Sequence, residues 1–187
     1  MNDNNLLEFA LRSNDDDELM DRFFKSKKFP KSALSDLRSF LEIVNEPLAV
    51  RSSSLLEDSQ GQPFAGVYDT FMLPNNHPDL NVRLKQLLHA IKRIYVSIFF
   101  KKSKDYIKVT TYRLEEEKMA VIIQKLVGAE HNGKYYPEFS GVAKSYNFYP
   151  NAPLKSTDGT VAVAPGLGKT IVDGGLSFRF CPKYPTH

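Results

Sequence analysis

Between Leu80 and Ile98 the apolar residues return at three- and four-residue steps: Leu80, Leu84, Leu87, Leu88, Ile91, Ile94, Tyr95 and Ile98. That spacing gathers them on one side of a long helix, and the side must be buried against another element. What it packs on is set by the patterns around it. Leu6, Leu7, Phe9, Ala10 and Leu11 form a short helical stretch. Ser13 and Asn14 are suited to cap a second helix, with Asp15 to Glu18 in its first turn, where the helix dipole favours acids. Leu19, Met20, Phe23 and Phe24 continue it until Pro30 stops the segment. Ser32 or Ser35 opens a third helix carrying Leu34, Leu37, Phe40, Leu41 and Val44.

The pattern then changes. Pro47-Leu48-Ala49-Val50 reads as a buried strand that runs out into a polar loop at Arg51-Ser52-Ser53-Ser54. Glu57 to Gly66 reads as loop, and Val67 to Leu73 as a returning strand closed by Pro74-Asn75-Asn76. Met119 to Val127, Tyr135 to Tyr149 and Thr160 to Val163 add strand with Gly and Pro punctuation. Helices first, then strands mixed with one long helix, predict an α+β fold rather than repeating βαβ units. The expected division is a helical lead-in over 1–45 and a strand-rich region over 46–187. Both ends read as boundaries within a longer protein.

Composition narrows the function classes. Lys and Arg number 25 against 22 Asp and Glu, a net charge of +3, too small to mark a nucleic-acid protein. The basic run Lys101-Lys102-Ser103-Lys104 and the acidic run Asp15 to Glu18 read as solvated helix faces or termini. A single cysteine, Cys181, excludes an internal disulfide and Cys-rich zinc sites, and fits a reducing, cytoplasmic setting. No apolar run is long enough to span a bilayer, and the polar start Met1-Asn2-Asp3-Asn4-Asn5 is not a secretory signal.

Three segments are candidates for chemistry. Arg51, at a strand end and followed by three serines, offers a planar fork of donors suited to phosphate oxygens; an ion pair with Glu57 or Asp58 is the competing role. Phe64-Ala65-Gly66-Val67-Tyr68-Asp69-Thr70 places a glycine before a strand, where backbone amides can approach an anion, with the Thr70 hydroxyl close behind; a plain turn is the alternative. Gly166-Leu167-Gly168-Lys169-Thr170 resembles the end of a P-loop, but the glycine that must start one is Val163 here, so a P-loop is not expected. His77, His89, His131 and His187 lack the spacing of a metal site or a triad.

Taken in order, the segments resemble the nucleotide-binding domain of phosphoenolpyruvate synthases and pyruvate phosphate dikinases. The resemblance runs over roughly residues 46 to 176. It is carried by Leu48-Ala49-Val50-Arg51-Ser52-Ser53, Glu57-Asp58, Phe64-Ala65-Gly66 and Asp69-Thr70, then by Ala120 to Val127 with Gln124, Ser140-Gly141-Val142-Ala143, and Gly166-Leu167-Gly168 before Val172-Asp173-Gly174-Gly175.

The resemblance implies a partial ATP-grasp-like fold preceded by helices, with ATP as ligand. Arg51 would hold its phosphates, Gly66 and Thr70 would belong to a loop covering them, and Gln124 would sit by the base. It implies a phosphoryl group passing from ATP to a histidine on a separate phosphohistidine domain and then to pyruvate. Glucan, water dikinases and rifamycin phosphotransferases share the ATP signature, and a degenerate regulatory module is a further alternative. The family's upstream Gly-Gly-Lys is absent before Arg51, and Lys169 stands where many relatives carry Glu. No histidine has the family's acceptor context. Neither catalytic nor metal-binding residues are therefore expected within this chain; Mg2+ ligands would lie outside it, and the chain alone is expected to be inactive.

Overall fold

The computed structural model describes residues 4–26, 29–54, 68–109, 113–114, 117–168, 171 and 174–185. The chain forms two compact units, Met1–Leu126 and Val127–His187. The architecture is α+β, with helices concentrated in the first unit and small antiparallel sheets in both.

In the first unit, α1 (Asn4–Arg12), α2 (Asp16–Lys25) and α3 (Lys31–Ile43) precede β1 (Leu48–Ser54) and β2 (Thr70–Leu73). Then come α4 (Leu80–Ser97), α5 (Lys101–Lys108) and β3 (Met119–Lys125). The cap of α2 is Asp15 rather than Ser13 or Asn14: its carboxylate accepts from the Asp17 and Glu18 amides at 3.0 Å each. Pro30 serves as the residue before α3, where a missing N–H costs nothing.

The three strands pair in the order β2-β1-β3, all antiparallel. Residues 52–54, expected as loop, continue β1: Ser52, Ser53 and Ser54 stand opposite Val121, Ala120 and Met119. Side chains alternate along a strand, so each strand gives one set to each side. Leu48 and Val50 of β1, Phe71 and Leu73 of β2, and Met119, Val121 and Ile123 of β3 pack with Leu41 of α3 and with Leu87, Ala90, Ile91 and Ile94 of α4. Each fully buried aliphatic side chain here contributes about 1.5–3 kcal/mol of hydrophobic stabilisation. The helical stripe of α4 thus finds its partner in one face of this sheet.

Two polar anchors hold the frame. Arg83 on α4 is buried and donates to the Val44 carbonyl at 3.2 Å and to Asn45 Oδ1 at 2.8 Å. Asn75, at φ 52°, donates through Nδ2 to the carbonyls of Val44 and Glu46, both at 3.0 Å. Together they fix the chain entering β1. The second anchor corrects the expectation of a solvated basic run. Lys104 is buried, and its Nζ donates to the carbonyls of Ala10 and Ser13, satisfying acceptors left open where α1 ends. Burial holds its pKa below the ordinary lysine value.

In the second unit, β4 (Ala129–His131) and β5 (Lys134–Tyr136) form a hairpin. Its turn is Asn132-Gly133, both at positive φ, the chemistry a two-residue hairpin turn needs. The strands β6 (Phe139–Lys144), β7 (Thr160–Pro165) and β8 (Phe178–Phe180) form an antiparallel sheet in that order.

Candidate functional site

One face of the β2-β1-β3 sheet is covered by α3 and α4; the opposite face carries the candidate residues. Thr70, Arg51 and Ile122 make one cross-strand row, because Arg51 is the register partner of both others. Met72, Ala49 and Gln124 make the next row. Ser53 and Ala120 extend the face at its far end.

Arg51, Thr70 and Gln124 are all exposed. The Arg51 guanidinium reaches diagonally over the sheet, and its Nη1 donates to Gln124 Oε1 at 3.3 Å. Diagonal neighbours on adjacent strands are within reach of long side chains. Among the described residues Arg51 has no carboxylate partner; Glu57 and Asp58, the expected ion-pair candidates, lie outside them. By contrast, the neighbouring Lys125 is paired with Glu46 at 2.9 Å, and that hydrogen bond holds the Glu46 carboxyl below its ordinary pKa.

Of the three hydroxyls after Arg51, only Ser53 shares its face. Ser52 and Ser54 alternate to the helix side, and Ser54 is buried. Gly66 lies outside the described residues, as do Lys169 and Thr170.

Two apolar residues on this face were not singled out from sequence. Met72 is 57% exposed and Ile122 is 41% exposed. They flank Ala49, which is itself buried. The alternation of Met119 to Lys125 was the signal that could have found Ile122, since it puts Ile122 with Gln124 and apart from Val121 and Ile123. The arrangement is a sheet face with a cation, an amide and a hydroxyl set among apolar side chains. It suits a ligand with an anionic end and an apolar plane.

The Gly-Leu-Gly segment has a different local role. Gly166 and Gly168 sit at φ 74° and 70°. Ser140 donates from Oγ to the Gly166 carbonyl at 2.6 Å. A Cβ on Gly168 would stand 2.7 Å from the Ser140 Cβ. The segment thus packs a tight turn onto the start of β6.

Among the described residues there is no group of three or more His, Cys, Asp and Glu side chains that could hold a metal ion. None of their helices is long and apolar enough to cross a membrane.

Residues 10–180 match the model of the pyruvate phosphate dikinase AMP/ATP-binding domain. The chain is also 27% identical over 164 residues to the uncharacterized phosphotransferase YvkC of Bacillus subtilis (strain 168). That match covers 86% of this chain and 15% of the relative, so the chain spans a small part of the length of the protein it resembles. With the family model covering nearly all of it, the chain belongs to the pyruvate phosphate dikinase AMP/ATP-binding domain family.

Proposed function

We propose that the open face of β2-β1-β3 is one wall of an ATP site in a phosphoenolpyruvate synthase-like enzyme. In this reading a phosphoryl group leaves ATP for a histidine on another domain and then reaches pyruvate. The observation that carries it is the convergence of Arg51, Thr70 and Gln124, all exposed, on one face of the sheet, in a chain of an AMP/ATP-binding family.

Phosphoryl transfer asks a protein mainly for positioning and charge neutralisation. Arg51 would take phosphate oxygens through its planar fork. Thr70 would add a hydroxyl at the rim together with the Gly66 loop. Gln124 would meet the base, and the apolar flanks at Met72 and Ile122 would accept its plane.

Arg51 and Gln124 are hydrogen-bonded to each other, whereas phosphates and base are opposite ends of ATP. The pair therefore parts on binding. The exchange is favourable: one long bond from the guanidinium to a neutral amide gives way to a bidentate pair of bonds between opposite charges. Because the described residues offer no metal cluster, no step of this proposal is routed through a metal ion held by them.

Titration calorimetry of the chain with ATP, together with amide-resolved NMR, tests the reading. Saturable binding should shift amides of residues 49–53, 70–72 and 120–124, and Arg51→Ala should weaken it at least about tenfold. ATP binding that Arg51→Ala leaves untouched, or that shifts none of these amides, would overturn it.

A further inference from the structure

The second unit contains a concave surface that the proposed ATP wall does not use. A cavity of about 540 Å³ lies at one end of the β6-β7-β8 sheet and continues into a smaller one of about 230 Å³. Lys144, Thr160 and Arg179 line both. The register explains why they meet. Lys144 on β6 is directly opposite Thr160, and Arg179 on β8 is directly opposite Ala162, two residues further along the central β7. All four therefore share one face. The small side chains of Thr160 and Ala162 form the floor, and two long cationic side chains rise from the strands on either side. Those outer strands stand about 10 Å apart, within the combined reach of Lys and Arg.

Among the described residues neither Lys144 nor Arg179 has an ion-pair partner, and no Asp or Glu lines either cavity. The acid close by is already used: Asp158 accepts from Lys183 at 3.0 Å. Two like charges thus face each other over a floor that offers one hydroxyl. At the wider end Tyr146 and Phe148 pack edge to face, with ring centroids 5.0 Å apart, and both remain exposed. Phe148 and Tyr149 complete an aromatic rim.

We propose that this groove binds a phosphate monoester carried on a planar ring. The charge count selects the anion: two cations match a dianionic phosphoryl group, with the guanidinium taking two oxygens and the ammonium a third. Thr160 adds a hydroxyl donor. The rim selects the rest of the ligand, because exposed aromatic faces gain most from stacking a flat apolar ring. The groove lies wholly within the second unit and shares no residue with the β2-β1-β3 face. It stands whether or not that face binds ATP.

The test is amide-resolved NMR of the 187-residue chain with phenyl phosphate, inorganic phosphate and phenol as probes. Phenyl phosphate should give saturable shifts at residues 142–149, 160–162 and 178–181. Inorganic phosphate should shift amides 144, 160 and 179 more weakly, and phenol should give no saturable shift. The double variant Lys144→Gln, Arg179→Gln should weaken phenyl phosphate at least about tenfold, the effect of losing two charge-assisted contacts to a dianion. Both side chains are exposed, so unchanged amides in the β4–β5 hairpin will report an intact unit. Arg51→Ala should leave phenyl phosphate binding unchanged. The proposal falls if these amides do not shift saturably, if the double variant binds as well as the parent chain, or if phenol binds as tightly as phenyl phosphate.

Discussion

The Arg51 guanidinium rests on the Gln124 side-chain oxygen at 3.3 Å, across two strands whose pairing puts both exposed residues on the face opposite α3 and α4. A cation that has an amide partner and, among the described residues, no acid is available to a stronger acceptor. That availability leads to the first prediction. On the proposed reading, Arg51→Lys in a phosphoenolpyruvate-forming protein that contains this chain should lower turnover severely, because lysine keeps the charge and loses the planar fork. The cost in the barrier should be on the order of 2–4 kcal/mol, as for removal of one donor to a developing anion. Steady-state kinetics with ATP varied will check it; near-parental turnover would make Arg51 peripheral.

The frame around β1 should be sensitive at Asn75. Glycine tolerates φ 52°, so Asn75→Gly removes the side-chain bonds to the Val44 and Glu46 carbonyls, and the one accepted from Arg83, without straining the backbone. The first unit should lose about 1–3 kcal/mol, the penalty for buried polar groups left unpaired. Urea denaturation followed by a probe in α4 measures this. An unchanged midpoint would show that Arg83 alone holds the segment.

Gly168→Ala should destabilise the second unit. Its φ of 70° disfavours any L side chain, and the added methyl would meet Ser140 at 2.7 Å. The strain alone is worth about 1–3 kcal/mol. Gly166→Ala meets no atom within 4 Å and serves as the control for φ without the clash. Amide exchange across β6 should rise more in the first variant than in the second; equal effects would remove the role of the contact.

Asp158 gives a pH dependence of known sign. The Lys155 amide, donating at 2.8 Å, and then Lys183 hold its carboxyl below the ordinary value of 3.8. A depressed folded-state value means that the stabilisation is present above the unfolded value and is lost as the pH falls through the folded one. Exchange protection of the Lys155 amide, corrected for the intrinsic rate, should therefore decline on acidification below 3.8. Asp158→Asn should abolish that decline. A variant with the same acid profile would assign the effect to another group.

Incubated with radiolabelled ATP, magnesium and pyruvate, the chain alone should acquire no acid-labile, base-stable label and form no phosphoenolpyruvate. The histidines that the structure describes have other surroundings. His77 Nδ1 accepts from the Asp79 amide at 3.0 Å, His89 packs at a tilt against Phe24, and His131 stacks on Tyr136. None lies in the β2-β1-β3 strands. Label retained on protein would point to a complete site.

The sequence made the helices legible because their apolar stripes are long and regular: α4 spans Leu80–Ser97, within a residue of the span its periodicity predicted. It misjudged residues whose role depends on a distant partner. Three serines read as loop, yet they are strand because Val121, Ala120 and Met119 stand opposite them. Lys104 read as solvated, yet it is buried because the end of α1 presents it with two carbonyls. The α+β class was legible from element order, whereas the meeting of Arg51, Thr70 and Gln124 was reached only through family resemblance. Local pattern gives a strand's two faces but not its neighbours. Met72 and Ile122 show the cost of that gap: each was assigned to a strand, and neither was seen to border Arg51 or Gln124 on the same surface.

The central place of β1 has a consequence for synthesis on the ribosome. Arg51 precedes the residue it bonds by 73 positions. At about 5–20 residues per second, roughly 4–15 s pass between making the one and making the other. Through that interval β1 has no β3 to pair with, and its apolar side waits for α4. A nascent chain stalled before residue 119 should therefore expose that edge to chaperones and be unable to grip nucleotide, however well its early helices have formed.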